Sequence, residues 1–232
     1  MIFYRSPKPI KAISFDLDDT LYNNYPTIMA AEQALIIHLQ SVHPNLKNIT
    51  KRDIELVREQ VLLEQPKLSS DVTLLRRHWL AKLFNNHKIP NSDNHIGPTF
   101  STFMLARNRI SISQKTITFL SKLKSRVPLI AISNGNLDIE TTPLANYFTL
   151  KMFANSDNKA KPDPAMFLLA SQKLSIPCEH ILHIGDQLNT DVLGAKRAGC
   201  QAAWFDPYSA VKPYPVLADL QLQSLDELLN LV

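Results

Sequence analysis

Three features of the sequence predict an α/β fold: a parallel sheet covered by helices, with an all-helical segment inserted after the first strand. A short apolar run, Ala12-Ile-Ser-Phe15, ends abruptly in Asp16, Asp18 and Asp19. Some eighty residues of helical periodicity follow it, and beyond Ser111 helical and strand-like stretches alternate. Such alternation is the pattern of a parallel sheet with both faces covered. The first strand is separated from the next by over 100 residues, far more than one crossover helix needs, so the intervening segment is an insertion standing on the sheet.

Taken in order, residues 1–9 read as a tail, because Pro7 and Pro9 discourage regular structure. The opening strand follows directly. Pro26 suits a first helical turn, and Ile28, Leu35, Ile36 and Leu39 recur at helical spacing. A second helix is expected from Asp53 to Leu63, halted near Pro66, and a third from Asp71 to Phe84, where Val72, Leu75, Trp79 and Leu83 form one packing stripe. A fourth covers about Pro98 to Arg107. The second half predicts helix 114–125, strand 127–132, a helix near 138–146 and strand 149–153. Helix 164–174, strand 180–184, helix 190–198, strand 201–205 and a last helix from about Leu225 complete it. The predicted division is therefore 1–21 and 112–232 for a Rossmann-like core and 22–111 for a helical cap. No internal repeat or low-complexity segment interrupts it.

Composition narrows the class. At 232 residues, with 45% hydrophobic and 20% charged content, the chain is expected to be a globular protein with a sizeable core. No apolar run approaches the roughly 20 residues of a membrane span, and the first five residues lack the apolar segment of a signal peptide. The expectation is a cytoplasmic protein that spans no membrane, with Cys178 and Cys200 as free thiols. The net charge of +4 sits entirely in 22–111, which holds 11 Lys and Arg against 7 Asp and Glu. No run of five basic residues occurs, so the charge reads as a solvated surface or as a wall attracting a small anion, and nucleic acid is not expected as a partner.

Polar residues concentrate where the strands end. In open α/β sheets ligands bind outside the carboxyl ends of the strands. Asp16 and Asp18 share one face of the first strand, and a chain relaxing into a loop at Asp16 would converge both carboxylates on a site suited to a hard divalent cation. The competing reading is an acidic turn in which Asp19 or Thr20 caps a helix. The second strand end gives Ser133-Asn134-Gly135, suited to phosphate oxygens or to a plain turn. After the third comes Lys159-Ala-Lys161-Pro162-Asp163-Pro164, and the fourth gives Gly185-Asp186-Gln187 through Asp191. Two of only five glycines, Gly135 and Gly185, fall in these loops, where backbone turns tightly or approaches a ligand.

The succession DLDDT, SNG, KPDP and GDQLNTD, in this order and spacing, resembles the haloacid dehalogenase-like hydrolase superfamily with a helical cap after the first strand. More narrowly, FYR near the start, FDLDDTLYNN and SNGN are similar to bacterial phosphatases acting on flavin mononucleotide (FMN) and on 5-amino-6-(5-phospho-D-ribitylamino)uracil. The resemblance implies Mg²⁺ as cofactor, a small phosphorylated metabolite as substrate, and Asp16 as nucleophile. It implies Asp18 as the acid and base that serves leaving group and water, and Lys161 as the lysine pairing with Asp16 and the phosphate. Lys159 is the nearby competitor, and Lys161 is preferred because it directly precedes Pro162. Mg²⁺ would be held by Asp16, the Asp18 carbonyl and Asp186, with Asp191 a ligand or an orienting group. Thr20, Ser133, Asn134 and Lys161 would bind the phosphoryl group. Gln187 stands where the resemblance often has a second acid or a Ser, a departure expected to alter metal-site hydrogen bonding and leave the reaction class unchanged. His183 reads as a core histidine, and Arg76, Arg77 and His78 as an exposed helix face. A dehalogenase, a phosphomutase, a nucleotide or sugar-phosphate phosphatase and a regulatory protein with a vestigial site are the alternatives. Monomer and homodimer both remain open.

Overall fold

A computed structural model describes residues 1–90, 92–208 and 218–232. The chain forms two compact units: residues 1–23, 111–135 and 143–232 make one, and residues 24–110 with 136–142 make the other.

The first unit is built on a seven-stranded sheet. Its strands are β1 (Ile2–Phe3), β2 (Ala12–Phe15), β3 (Leu129–Ser133), β4 (Leu150–Phe153), β5 (Ile181–Gly185), β6 (Gln201–Phe205) and β7 (Leu220–Leu222), in spatial order β1-β7-β6-β5-β2-β3-β4. All pairings are parallel except the edge pair, where β1 runs antiparallel to β7. β2 is central, and all four of its residues are buried, as a strand covered on both faces requires. Ile13 is in register with Leu129 on one side and Leu182 on the other. From β2 the chain builds outward through β3 and β4, then crosses back and builds the other way through β5, β6 and β7. The strand order thus reverses at β2, and crevices form at such switch points.

Helices cover both faces. On one, Met166, Phe167 and Ala170 of α6 (Ala165–Leu174) join Ile130, Ile132 and Trp204 in a continuous core. On the other, Phe119 of α5 (Gln114–Lys124) meets Phe15 edge-on with ring centroids 6.1 Å apart.

The second unit is the helical insertion: α1 (Tyr25–Val42), α2 (Lys51–Glu64), α3 (Val72–Asn86) and α4 (Asp93–Arg107). Each start has a local cause. Pro26 occupies the first turn of α1, Thr50 and Asp53 form a reciprocal capping box at α2, and the Asp71 carboxylate accepts from the amides of Thr73 and Leu74 at α3. Leu39, Leu80, Leu83, Phe84 and Phe103 are fully buried at its centre. No helix among the described residues is long and apolar enough to cross a membrane.

Several elements depart from the sequence expectation. The tail contains β1, which with β7 is too short to display a period of two. The helix expected at 98–107 begins at Asp93 and carries Pro98 inside it, because Ile96 and His95 pack onto the cap core and outweigh the lost backbone bond. The helix expected near 138–146 is only a 3₁₀ turn, Ile139–Thr141, cut off by Pro143. The helix expected at 190–198 is a π-helical turn, Leu188–Val192, running into the short α7 (Leu193–Arg197). The helix expected from Leu225 is a 3₁₀ helix, Leu225–Asn230.

Phe84 lies with none of its surface exposed at the centre of the cap. The Phe84→Ala variant is expected to lose about 3–5 kcal/mol, read as a lower urea midpoint, because the cavity left behind cannot close fully.

Candidate active site

Four loops at the carboxyl ends of the strands meet in a hollow of about 250 Å³. It is lined by Asp16, Asp18, Asp19, Ser133, Asn134, Gly135, Lys161, Asp186, Gln187, Thr190 and Asp191. The loop after β2 closes on itself. The Leu21 amide donates to the Leu17 carbonyl at 3.0 Å, and Asp19, at φ 60°, turns its amide to the Tyr22 carbonyl at 2.9 Å. This turn brings the Tyr22 hydroxyl onto Asp18 Oδ1.

Lys161 forms the base of the hollow. Its ammonium donates to Asp16 Oδ1 at 2.7 Å, Asp191 Oδ1 at 2.6 Å and the Ile132 carbonyl at 2.7 Å, so all three donors are used. Its backbone is held from β3. The Lys161 amide donates to Asn134 Oδ1 at 2.7 Å, and Asn134 Nδ2 donates to the Lys161 carbonyl at 2.9 Å. The peptide that follows, Lys161-Pro162, is cis. Lys159 is exposed and sits 3.6 Å from Asp163.

The turn after β5 explains its own irregularity. Asp191 is 1% exposed and points back at the strand end, where Oδ2 accepts from the Gln187 amide at 3.0 Å. Bringing it there takes the extra residue of the π-helical turn, in which the Val192 amide reaches the Gln187 carbonyl at 3.3 Å. Gln187 also donates from Nε2 to Asp186 Oδ2 at 2.6 Å and so steadies the acid beside it. The Trp204 indole donates to the Asp186 carbonyl at 3.0 Å. Thr20 does not line the hollow; its hydroxyl is 3.4 Å from Asp186 Oδ1 and donates to it. Ser133 Oγ accepts from the Gly135 amide at 3.0 Å, which leaves its hydrogen available to a ligand oxygen. The Asn134 side chain is committed to Lys161.

Two carboxylates, Asp16 and Asp191, share one buried cation with Asp186 beside them, and their ionisation reflects it. Burial pushes Asp16 up to about 8, with Lys161 opposing and Asp191 and Asp18 adding repulsion. Burial acts on Asp191 too, yet Lys161 and His183 overcome it and hold the group below the ordinary carboxylate range. Burial likewise lowers Lys161, but Asp16 and Asp191 leave it raised overall. Asp186 is raised by burial and by Asp191. His183, 1% exposed, is kept neutral by burial; its Nδ1 lies 2.9 Å from Ser14 Oγ and its Nε2 3.5 Å from Asp191 Oδ1. The expected core histidine is thus also a wall for Asp191.

One oxygen each of Asp16, Asp186 and Asp191 lies within 4.8 Å of the others, a hard-oxygen donor set able to hold a metal ion. Tyr22 and Trp204 were not among the sequence candidates. Tyr22 lies inside the DLDDTLYNN stretch, four residues beyond Asp18, but only the loop's closure reveals its contact. Trp204 is distant in sequence and carries no local signal.

Residues 10–199 match the family described as haloacid dehalogenase-like hydrolase, and the chain belongs to it. It is 36% identical to the 5-amino-6-(5-phospho-D-ribitylamino)uracil phosphatase YigB of Escherichia coli (strain K12), over 89% of this chain and 88% of that protein. It is 28% identical to a phosphoglycolate phosphatase of Vibrio cholerae serotype O1, over 83% of each. Among solved structures, the 2-haloacid dehalogenase from Pseudomonas syringae pv. Tomato DC3000 superposes with a TM-score of 0.89 at 30% identity, covering 96% of this chain and 97% of that one.

Two outcomes follow from this geometry. A Cβ on Gly185 would lie 2.3 Å from the Asp191 carboxyl carbon, so Gly185→Ala should lower stability by roughly 1–3 kcal/mol or more in urea unfolding. Asp191 has a depressed pKa when folded, so its contribution is present above the unfolded value of about 3.9 and is lost as pH falls through the folded one. The stability gap between the native chain and Asp191→Asn should therefore shrink below about pH 4; above it the gap also varies with pH, because the substitution removes one repulsion that raises Asp16.

Proposed function

We propose that this chain is a Mg²⁺-dependent phosphatase of a small phosphorylated metabolite, acting on 5-amino-6-(5-phospho-D-ribitylamino)uracil or FMN. The observation that carries the reading is the buried Asp16–Lys161–Asp191 cluster, set beside a second acid, Asp18, with its own hydroxyl partner. The substrate assignment draws on the 36% identity to YigB across nearly the whole chain.

In this reading an Asp16 oxygen attacks phosphorus, the ester P–O bond breaks, and Asp18 gives its proton to the leaving alkoxide. Asp18 then takes a proton from water as that water attacks the aspartyl-phosphate, releasing inorganic phosphate and freeing Asp16. Tyr22 orients Asp18. Lys161 holds Asp16 in place and balances charge beside the phosphoryl oxygens, and Ser133 donates to one of them. Asp16, Asp186 and Asp191 would hold Mg²⁺, with the Asp18 carbonyl a further candidate oxygen; bound there, the ion would neutralise charge on the transferring group. Thr20 steadies Asp186 and is not itself assigned to the phosphoryl group. The protein is read as cytoplasmic.

The dehalogenase at 30% identity motivates the second reading. That chemistry requires an aspartate nucleophile but neither Asp18 nor a metal set, and this chain has both.

Phosphate release is expected from the ribitylaminouracil phosphate or FMN in preference to sugar phosphates and phosphoglycolate, and EDTA should abolish it. Asp16→Asn should remove turnover while the chain stays folded. Tyr22→Phe should lower kcat about tenfold with KM little changed, since positioning supplies only part of the 10²–10⁴ of general acid–base catalysis. Metal-independent halide release from a 2-haloacid, with no phosphate release from any ester, would replace this reading with the second.

A further inference from the structure

The cap contains a hollow that the catalytic reading does not use. It measures about 320 Å³ and opens among α1, α2 and α3, with Leu35, Ile54, Leu75 and Trp79 among its apolar walls and Arg58 and Arg76 among its cations. This is the lower end of the size range of small-molecule pockets, which are mostly apolar with a few placed polar groups.

The charges around it are not balanced internally. Of the two carboxylates on the wall, Glu32 accepts from Lys51 Nζ at 2.8 Å, and Glu55 has Arg52 at 3.6 Å. Neither Arg58 nor Arg76 has a carboxylate within 4.0 Å among the described residues. Arg58 is exposed, while Arg76 is half-buried with its guanidinium 3.5 Å above the Phe103 ring. Arg76 Nε is buried and has no hydrogen-bond partner. Burial, with repulsion from Arg58 and Arg107 only partly relieved by Glu32, lowers the Arg76 pKa to about 10. A buried guanidinium N–H that lacks an acceptor is costly, and an anionic oxygen would satisfy it.

We infer that this hollow is a ligand site of the cap itself, taking a small molecule with a flat apolar body and one anionic group, carboxylate or phosphate. The aliphatic walls and Trp79 would cover the body, and Arg58 and Arg76 would hold the anion between them, a use that suits the planar donor fork of arginine. A bare inorganic anion would leave the apolar walls wet and binds more weakly. The inference rests on the cap alone and stands or falls separately from the catalytic reading.

The test uses the full chain, without substrate, titrated with phenylphosphonate, with benzoate and with inorganic phosphate. Tryptophan emission and calorimetry are read together. Phenylphosphonate or benzoate should bind saturably with a change in emission that disappears in Trp79→Phe, and inorganic phosphate should bind at least about tenfold more weakly. Arg58→Gln, at an exposed position, should weaken the aromatic anion at least about tenfold, the loss of one charged hydrogen bond, and Arg76→Gln should weaken it further. If Arg76→Gln fails to fold by circular dichroism, Arg58→Gln decides alone. No saturable binding at millimolar concentrations overturns the inference. So does calorimetric binding that leaves Trp79 emission unchanged and is indifferent to Arg58→Gln, because it places the probe elsewhere.

Discussion

Everything at the strand ends depends on one buried ammonium. Lys161 is only 3% exposed and spends its three hydrogens on Asp16, Asp191 and the Ile132 carbonyl. Taking two carboxylates and a lysine out of water is costly, and the cost is offset only when the geometry satisfies all of them. Without the ammonium, Asp16 and Asp191 would face one another inside the protein and one would take up a proton. The lysine is in turn fixed by the paired bonds to Asn134, so the end of β3 sets where the charge between β2 and the turn after β5 can sit.

That arrangement leaves an electrostatic remainder. Asp16, Asp186 and Asp191 bring three carboxylates to one point, and Lys161 supplies one positive charge within direct contact. Asp16 bears the remainder, pushed up to about 8, while Asp191 keeps its ionised form through Lys161 and His183. A divalent cation among these oxygens would lower Asp16 and favour its ionised form. Gln187, being neutral, adds no further charge to the cluster.

Much of this was legible in the sequence because the decisive residues sit at the ends of short, fully apolar strands. Asp16, Ser133 and Asp186 each close or follow such a run, and the long helical interval between the first two read as an insertion. The illegible parts share a physical reason: they arise from contacts between segments distant in sequence or from backbone irregularity. Whether Thr20 faces a ligand or Asp186 depends on how the loop after β2 closes, and the pattern of residues alone does not encode that. The π-helical turn is invisible to helical periodicity, since Asp191 is drawn inward by a contact to Gln187 and not by an apolar stripe. β1 exists only because it finds β7 at the sheet edge, and β7 is held between β1 and β6. Pro98 misled for the opposite reason, as its local preference for a first turn yielded to packing in the cap.

The fold by itself does not choose among the chemistries found on it. A protein called a dehalogenase superposes on this chain with a TM-score of 0.89 at 30% identity, and one called a phosphatase is 36% identical, so overall likeness does not separate them. The site separates them. Displacing halide from carbon needs one carboxylate and gains nothing from a second acid with a hydroxyl partner or from three oxygens gathered within 4.8 Å. Transfer of a phosphoryl group needs both, because an alkoxide must be protonated as it leaves and the charge on the group in flight must be met. The hollow offers little beyond that. At about 250 Å³, lined by acids, amides, hydroxyls, one glycine and one lysine, it suits a phosphoryl group but presents no large apolar side chain with which to tell one ester from another. Reaction class is therefore written into the strand ends, and the choice of substrate must be made by residues outside them.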